Sequence, residues 1–255
     1  NNLDIDSLRS KGINLGFTPG VNKQSVAELA LTLTLLSLRK IHRNHTEITE
    51  GIWSQEKGVE LCGKTVGLLG FGNIGQKFAS FLKPFDCKII FFDEKIFSNQ
   101  ELLIIKEDVD LQSKGIQQDE LAAVLHQADI LSIHLPLLPE TKNIISAKEL
   151  SLLKPSISII NTARGGIVNE QDLYHVMQSG HLSGAAIDVF DMEPYNGKLQ
   201  EIQRCILTAH MGSMSVDCRT RMEIEATKEA IRFLTGKSLE SVVPEDEYTV
   251  QREGL

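Results

Sequence analysis

The stretch Thr65-Val-Gly-Leu-Leu-Gly70-Phe-Gly72-Asn-Ile-Gly75 constrains this 255-residue chain more than any other part of it. A short apolar run leads directly into a glycine turn, and a helical pattern from Ile74 to Leu82 follows. The three glycines have separate uses. Gly70 permits a tight turn, Gly72 lets backbone approach a pyrophosphate with no Cβ between them, and Gly75 lets helix and strand pack closely. Free N–H groups at the start of the helix, with the helix dipole, would favour the phosphate charge. The next apolar run, Cys87 to Asp93, ends in a carboxylate. An acid there can accept hydrogen bonds from both hydroxyls of an adenosine ribose and would repel a 2′-phosphate, which favours NAD over NADP.

The same alternation continues downstream. Strands are expected over Ile130–His134, Ile157–Ile160, Ala185–Val189 and Cys205–Thr208. Between them run a helix at Asp119–Gln127, one capped by the Ser146/Glu149 box and stopped before Pro155, and one capped by Asn169 and stopped by Gly180. Six strands separated mostly by helices predict an α/β fold with a doubly wound parallel sheet of the Rossmann type over residues 23–214. Upstream, Ser25 and Glu28 read as a capping box for a helix over 25–39 that is apolar nearly all round. Such a helix needs cover on every side, and we expect it to act as the arm of a homodimer. Residues 41–60 read as a polar connector and 94–118 as irregular chain. Residues 1–22 and 215–255, the latter with a long helix from Ser215 to about Leu234, fall outside the alternation. They are expected to belong to a smaller module beside it.

Net charge of −8 argues against nucleic-acid or anionic-membrane partners, both of which need a positive surface. The most apolar stretch, Leu29 to Leu38, is about half a membrane span. Cysteines at 62, 87, 205 and 218 are too far apart in sequence for a CxxC pair. They read as reduced thiols of a cytoplasmic protein. His42 and His45 lack an apparent third ligand, so no metal is expected. His126, His175 and His181 read as surface residues, and Trp53 as a packing residue.

In an open parallel sheet, ligands bind beyond the carboxyl ends of the strands. The unusual polar residues gather at those ends. His134-Leu135-Pro136 follows the third expected strand and Asn161-Thr162-Ala163-Arg164 the fourth. Asp188 closes the fifth, with Glu193 beyond it, and Thr208-Ala-His210-Met-Gly212-Ser213 follows the sixth. Arg164 offers an always-charged planar fork that suits a carboxylate. Histidine exchanges protons near neutral pH, so His210 can protonate an alkoxide or deprotonate an alcohol. Glu193 could hydrogen-bond that imidazole, favour its charged form and hold it in place. Together with a nicotinamide these groups match reduction of a 2-oxo acid or oxidation of a 2-hydroxy acid.

On these residues the chain resembles the D-isomer-specific 2-hydroxyacid dehydrogenases, of which phosphoglycerate dehydrogenase is one. The resemblance is carried by TPGVNKQSVAE (18–28), KTVGLLGFGNIGQ (64–76), HLPLLPETKNII (134–145), LKPSISIINTARGGIVNE (153–170), GAAIDVFDMEP (184–194) and LTAHMGS (207–213). It implies catalysis by Arg164, Glu193 and His210. It implies coenzyme contacts from Gly70, Gly72, Asn73, Ile74, Gly75, Asp93, Leu135, Pro136, Thr162, Ala163, Arg164, Asp188, His210, Gly212 and Ser213, with Asp188 on the nicotinamide amide. It also implies that most of a substrate domain lies upstream of this stretch, with a small 2-hydroxy or 2-oxo acid, D-3-phosphoglycerate among them, as substrate. Ala209 stands where proline often precedes the histidine, and Glu193 where formate dehydrogenases carry glutamine, which argues against formate. An NAD(H)-sensing corepressor on the same fold is the alternative reading.

Overall fold

The computed structural model describes residues 3–98, 100–102, 105 and 116–243. Within them the strands are β1 (Thr65–Leu69), β2 (Lys88–Phe92), β3 (Ile116–Gln118), β4 (Ile130–Ile133), β5 (Ser158–Asn161), β6 (Gly184–Ile187) and β7 (Cys205–Leu207). They form one parallel sheet ordered β3-β2-β1-β4-β5-β6-β7. The order reverses between β1 and β4, which opens a crevice above their carboxyl ends.

Helices cover both faces. In chain order the helices include α1 (Ile5–Ser10), α2 (Lys23–Arg39), α3 (Ile41–Thr49), α4 (Asn73–Phe81), α5 (Leu121–Gln127), α6 (Ala147–Ser151), α7 (Glu170–Gln178) and α8 (Val216–Leu234); α2, α4, α5, α6 and α7 supply the cores on the two faces, whereas α3 and α8 bury almost nothing. Successive strand residues point to opposite faces, so β1 feeds two cores. Val66 and Leu68 join Phe78 and Phe91 beneath α2 and α4, while Leu69 joins Leu131 and Ile159 beneath α5 and α7. β4, β5 and β6 are buried along their whole length, which explains why they read as unbroken apolar runs. Each fully buried Leu or Phe side chain here contributes about 1.5–3 kcal/mol.

The doubly wound sheet is as expected, with one more strand. β3 carries a single buried apolar residue, Ile116, in three positions, and it lies inside the stretch read as irregular. The capping-box reading of Ser25 is overturned. α2 begins two residues earlier, with Asn22 as its cap, and Ser25 is a buried interior residue whose hydroxyl meets that of Ser215 at 3.1 Å. The connector also contains a helix, α3, with an Arg43–Glu47 pair one turn apart. Trp53 does not pack within the described residues; it is 81% exposed. The cap of Asn169, the Ser146/Glu149 box and the cap of Ser215 are all present.

The two flanking segments meet each other. Gly16 bridges Val242 in antiparallel fashion, Phe17 N donates to Ser241 O at 3.1 Å, and Val243 N to Leu15 O at 3.2 Å. Residues 1–2 and 244–255 of the expected second module, and 99, 103–104 and 106–115 of the expected irregular stretch, lie outside the described residues. No helix among the described residues is long and apolar enough to cross a membrane.

Candidate active site

The glycine turn sits where β1 enters α4. Gly70 has φ of +91°, and a Cβ on it would lie 2.8 Å from the carbonyl group of His134. A Cβ on Gly75 would meet the Gly70 oxygen at 2.4 Å, so this glycine is required by helix–turn contact. Gly72 differs from both. Its φ of −79° suits any residue, and a Cβ there would meet nothing within 4 Å. Nothing in the chain itself requires glycine at position 72. A pyrophosphate lying on the exposed turn would, because a side chain would fill its cradle. Asn73 and Ile74 open α4 beside it, Asn73 exposed and Ile74 half-buried.

Asp93 lies directly under this turn. Its Oδ2 accepts from Phe71 N at 2.6 Å and its Oδ1 from Lys95 N at 2.9 Å. Each carboxylate oxygen keeps acceptor capacity for a ribose hydroxyl. At the next strand end, Leu135 is buried and Pro136 exposed. The His134 ring packs near Phe78, with centroids 5.4 Å apart, and its Nε2 meets the Ser132 hydroxyl at 3.0 Å. Burial pushes its pKa down to about 3, so it is neutral wherever the protein works.

Beyond β5, the Asn161 side chain closes a turn. It accepts from Ala163 N at 3.1 Å and donates to Arg164 O at 3.0 Å. Thr162 is 5% exposed, and its hydroxyl is buried without a partner. Arg164 is exposed and donates only to the Ala163 carbonyl, at 2.7 Å; among the described residues it has no carboxylate partner. Gly165 brings this turn against the one that follows β6, since a Cβ on it would overlap Phe190 O. That second turn carries Glu193, so backbone contact places the arginine's turn beside the glutamate's.

Glu193 binds in two directions. Its Oε1 accepts from Phe190 N at 3.1 Å and its Oε2 faces His210 Nδ1 at 2.8 Å. A carboxylate on Nδ1 fixes the hydrogen there and leaves Nε2 free for a substrate oxygen. Neighbouring Asp191 is held by Glu170, whose carboxylate accepts Asp191 N at 2.7 Å; burial raises the pKa of Glu170.

Asp188 is wholly buried and organises the loop after β7. It accepts from the Thr208 hydroxyl at 2.6 Å, Met211 N at 2.7 Å and Gly212 N at 2.9 Å, and its own carbonyl accepts His210 N at 2.8 Å. His210 is thereby held at φ of +51°, a conformation that costs a non-glycine residue about 1–2 kcal/mol. Asp188 was expected to touch the nicotinamide amide. Three of its acceptor positions already serve the loop, and the direct product of the contacts seen is the aim of His210. Thr208 and Asn161 are positioning residues that the sequence reading placed at strand ends but gave no role. The signal for Asn161 was an Asn at a strand end followed by a turn, a common Asx-turn pattern. Gly212 is buried beside Asp188 and Ser213 half-buried after it.

The site therefore has an anion cradle needing an outside occupant, a ribose acceptor, an unpaired buried hydroxyl and a carboxylate-oriented imidazole on one sheet edge. This donor set fits a nicotinamide dinucleotide. Residues 31–212 match the family described as D-isomer specific 2-hydroxyacid dehydrogenase, NAD binding domain. The hydroxypyruvate reductase of Thermotoga maritima is 36% identical over 239 residues, 91% of this chain and 74% of that protein. The D-3-phosphoglycerate dehydrogenase of Methanocaldococcus jannaschii is 32% identical over 246 residues, 95% of this chain but 45% of that protein. Among solved structures, a glyoxylate reductase from Paecilomyes thermophila superposes with a TM-score of 0.85 at 28% identity, covering 96% of this chain and 73% of that one. The chain belongs to the D-isomer specific 2-hydroxyacid dehydrogenase family, as the residues at its strand ends implied, and carries that family's NAD-binding domain.

Proposed function

We propose that the chain interconverts a small 2-oxo acid and its D-2-hydroxy acid with NAD(H), using Arg164, Glu193 and His210. The observation that carries this is the 2.8 Å Glu193–His210 contact, on a turn packed against that of an arginine with no carboxylate partner among the described residues. When bound, the nicotinamide supplies or accepts the hydride. Gly70, Gly72, Gly75, Asn73 and Ile74 would hold the pyrophosphate, and Asp93 the adenosine ribose. Leu135, Pro136, Thr162, Ala163, Asp188, Gly212 and Ser213 line the rim between that loop and the histidine.

Each remaining task falls to a residue of matching chemistry. Arg164 binds the substrate carboxylate and draws electron density from the carbonyl carbon, since its fork is charged at any working pH. His210 gives a proton from Nε2 to the developing alkoxide, or takes one from the alcohol in reverse. Glu193 stabilises the imidazolium that this requires. General acid–base assistance of this kind is worth roughly 10² to 10⁴ in rate.

The names of the relatives indicate the substrate class: glyoxylate, hydroxypyruvate and the phosphorylated acid related to D-3-phosphoglycerate. The paired segments around Gly16 and Val242 contribute to the smaller, substrate-facing module. Four cysteines outside any disulfide among the described residues, three of them buried, suit a reducing cytoplasm. We also place a second copy of the chain against the exposed apolar side chains of α3 and the connector after it. Steady-state NADH oxidation with glyoxylate, hydroxypyruvate and 3-phosphohydroxypyruvate tests the reading. Turnover of at least one is expected; tight NADH binding with no turnover of any would overturn it.

A further inference from the structure

The acid under the glycine turn is held from behind. β3 ends at Gln118, opposite Phe91 of β2, and Asp119 N donates to Phe91 O at 2.9 Å. Strand pairing stops there, and the Gln118 side chain carries the bonding further. Its Nε2 donates to Lys95 O at 2.8 Å and to Asp93 O at 3.1 Å, while its Oε1 accepts from Phe97 N at 3.0 Å. Two carbonyls and one N–H fix which end of the amide is which. They also call for an amide, because a carboxylate lacks the donors and an ammonium the acceptor.

What the amide ties together is the loop that leaves β2 with Asp93 at its head. The Asp93 carboxylate accepts from Phe71 N of the glycine turn at 2.6 Å. The far end of the loop is seated by Phe97, whose ring stands edge-on to Phe71 and Phe91 at centroid distances of 5.9 and 5.5 Å. Lys95 turns back between the two ends. Its N–H donates to Asp93 Oδ1 at 2.9 Å, its ammonium pairs with Glu101 at 2.9 Å, and that ammonium lies 4.6 Å from the centre of the Phe97 ring.

The course of Lys95 matters for charge. It stands two residues from the ribose acceptor, where a loose ammonium would offset the repulsion of a 2′-phosphate by Asp93. Its pairing with Glu101 is exposed, and an exposed ion pair is too weak to hold a lysine by itself. The bonds from Gln118 supply the missing restraint, since they fix the backbone on both sides of Lys95 and at Lys95 itself.

We propose that Gln118 is a positioning residue for coenzyme choice: it ties residues 93–97 so that Asp93 stays on the glycine turn, Lys95 stays with Glu101, and NADH is preferred to NADPH. This rests on Asp93 as the ribose acceptor, and it adds the residue that makes the acid selective.

The test measures dissociation constants of NADH and NADPH for the full chain by fluorescence titration, with no substrate present. Gln118→Met keeps the length of the side chain and removes all three bonds. Gln118→Glu keeps the acceptor and removes both donors. Each should weaken NADH roughly tenfold, the effect of misplacing one hydrogen bond to a charged acceptor, and NADPH no more than threefold. The preference for NADH therefore falls. A role in stability alone would lower the Tm of the coenzyme-free protein and leave the ratio of the two constants as it was. In an Asp93→Ala background, Gln118→Met should change the NADH constant less than twofold, because residues that act through one contact do not add. Should Gln118→Met fail to fold, Gln118→Glu carries the same comparisons. If Asp93→Ala relaxes the preference and neither Gln118 variant does, or if the two substitutions multiply in their effect on NADH, the proposal is overturned while the coenzyme reading stands. If Asp93→Ala itself leaves the ratio unchanged, the assignment of Asp93 fails and takes the role of Gln118 with it.

Discussion

At the residue scale, the distance from Glu193 to His210 decides what the histidine can do. With Nδ1 committed to a carboxylate at 2.8 Å, only Nε2 can reach a substrate oxygen. His210→Gln keeps an amide near that position but removes the transferable proton. We expect kcat to fall by roughly 10² to 10⁴ with NADH affinity changed less than twofold. Stopped-flow turnover and a fluorescence titration of NADH check the two halves separately, and an unchanged rate would remove His210 from its role. The strand-end positions of Arg164, Glu193 and His210 were legible in the sequence, because strand ends in a parallel sheet must share one edge. What holds them there was not. Thr208 and Asn161 act through bonds to Asp188 and to the 163–164 backbone, and a hydroxyl or amide in a loop carries no mark of its partner until the chain is folded.

At the scale of elements, the β1–turn–α4 unit separates two demands on glycine that look identical in sequence. Gly75 is required by packing, since a Cβ would press to 2.4 Å from a backbone oxygen. Gly72 faces open space in an ordinary conformation. Gly72→Ala should therefore leave the Tm within a degree or so and weaken NADH at least tenfold, about 1.4 kcal/mol. Gly75→Ala should cost about 1–3 kcal/mol of stability through overpacking, a fall of several degrees in Tm. Thermal denaturation with and without NADH distinguishes them; equal loss of stability in both would mean that the turn's shape alone needs Gly72. The same contrast explains which elements sequence reading found. β4 to β6 announced themselves because both their faces are buried. β3 did not, because an edge strand of three residues with two glutamines has no periodicity to detect. α2 was found but its start was misplaced, since Ser25 and Glu28 have capping-box spacing while the helix is already under way at Lys23.

For the whole molecule, the distribution of exposed apolar surface revises where a partner copy should sit. The expected dimer arm, α2, is spent mostly inside the chain: Ala27, Ala30, Leu33 and Leu38 are buried against the sheet and α4, and Val26 is buried beside Gly212. Among the exposed apolar groups, four lie just beyond it: Ile41 and Ile48 on α3 and Ile52 and Trp53 in the connector. Ile41, Ile48 and Trp53 line one surface hollow, and apolar groups gathered in this way are more easily kept soluble when a second copy covers them. Trp53 is the chain's sole tryptophan, so it reports its own burial. Dilution from micromolar to nanomolar concentration should shift its emission to longer wavelength as the dimer dissociates, with light scattering showing the mass halve. Ile48→Glu should raise the dissociation constant by roughly 30-fold or more, the effect of losing a central interface anchor worth about 2 kcal/mol. The tryptophan should then emit as an exposed side chain at all concentrations. A dimer whose dissociation ignores that substitution, with Trp53 emission constant throughout, would put the subunit contact elsewhere and return α2's half-buried leucines to the question.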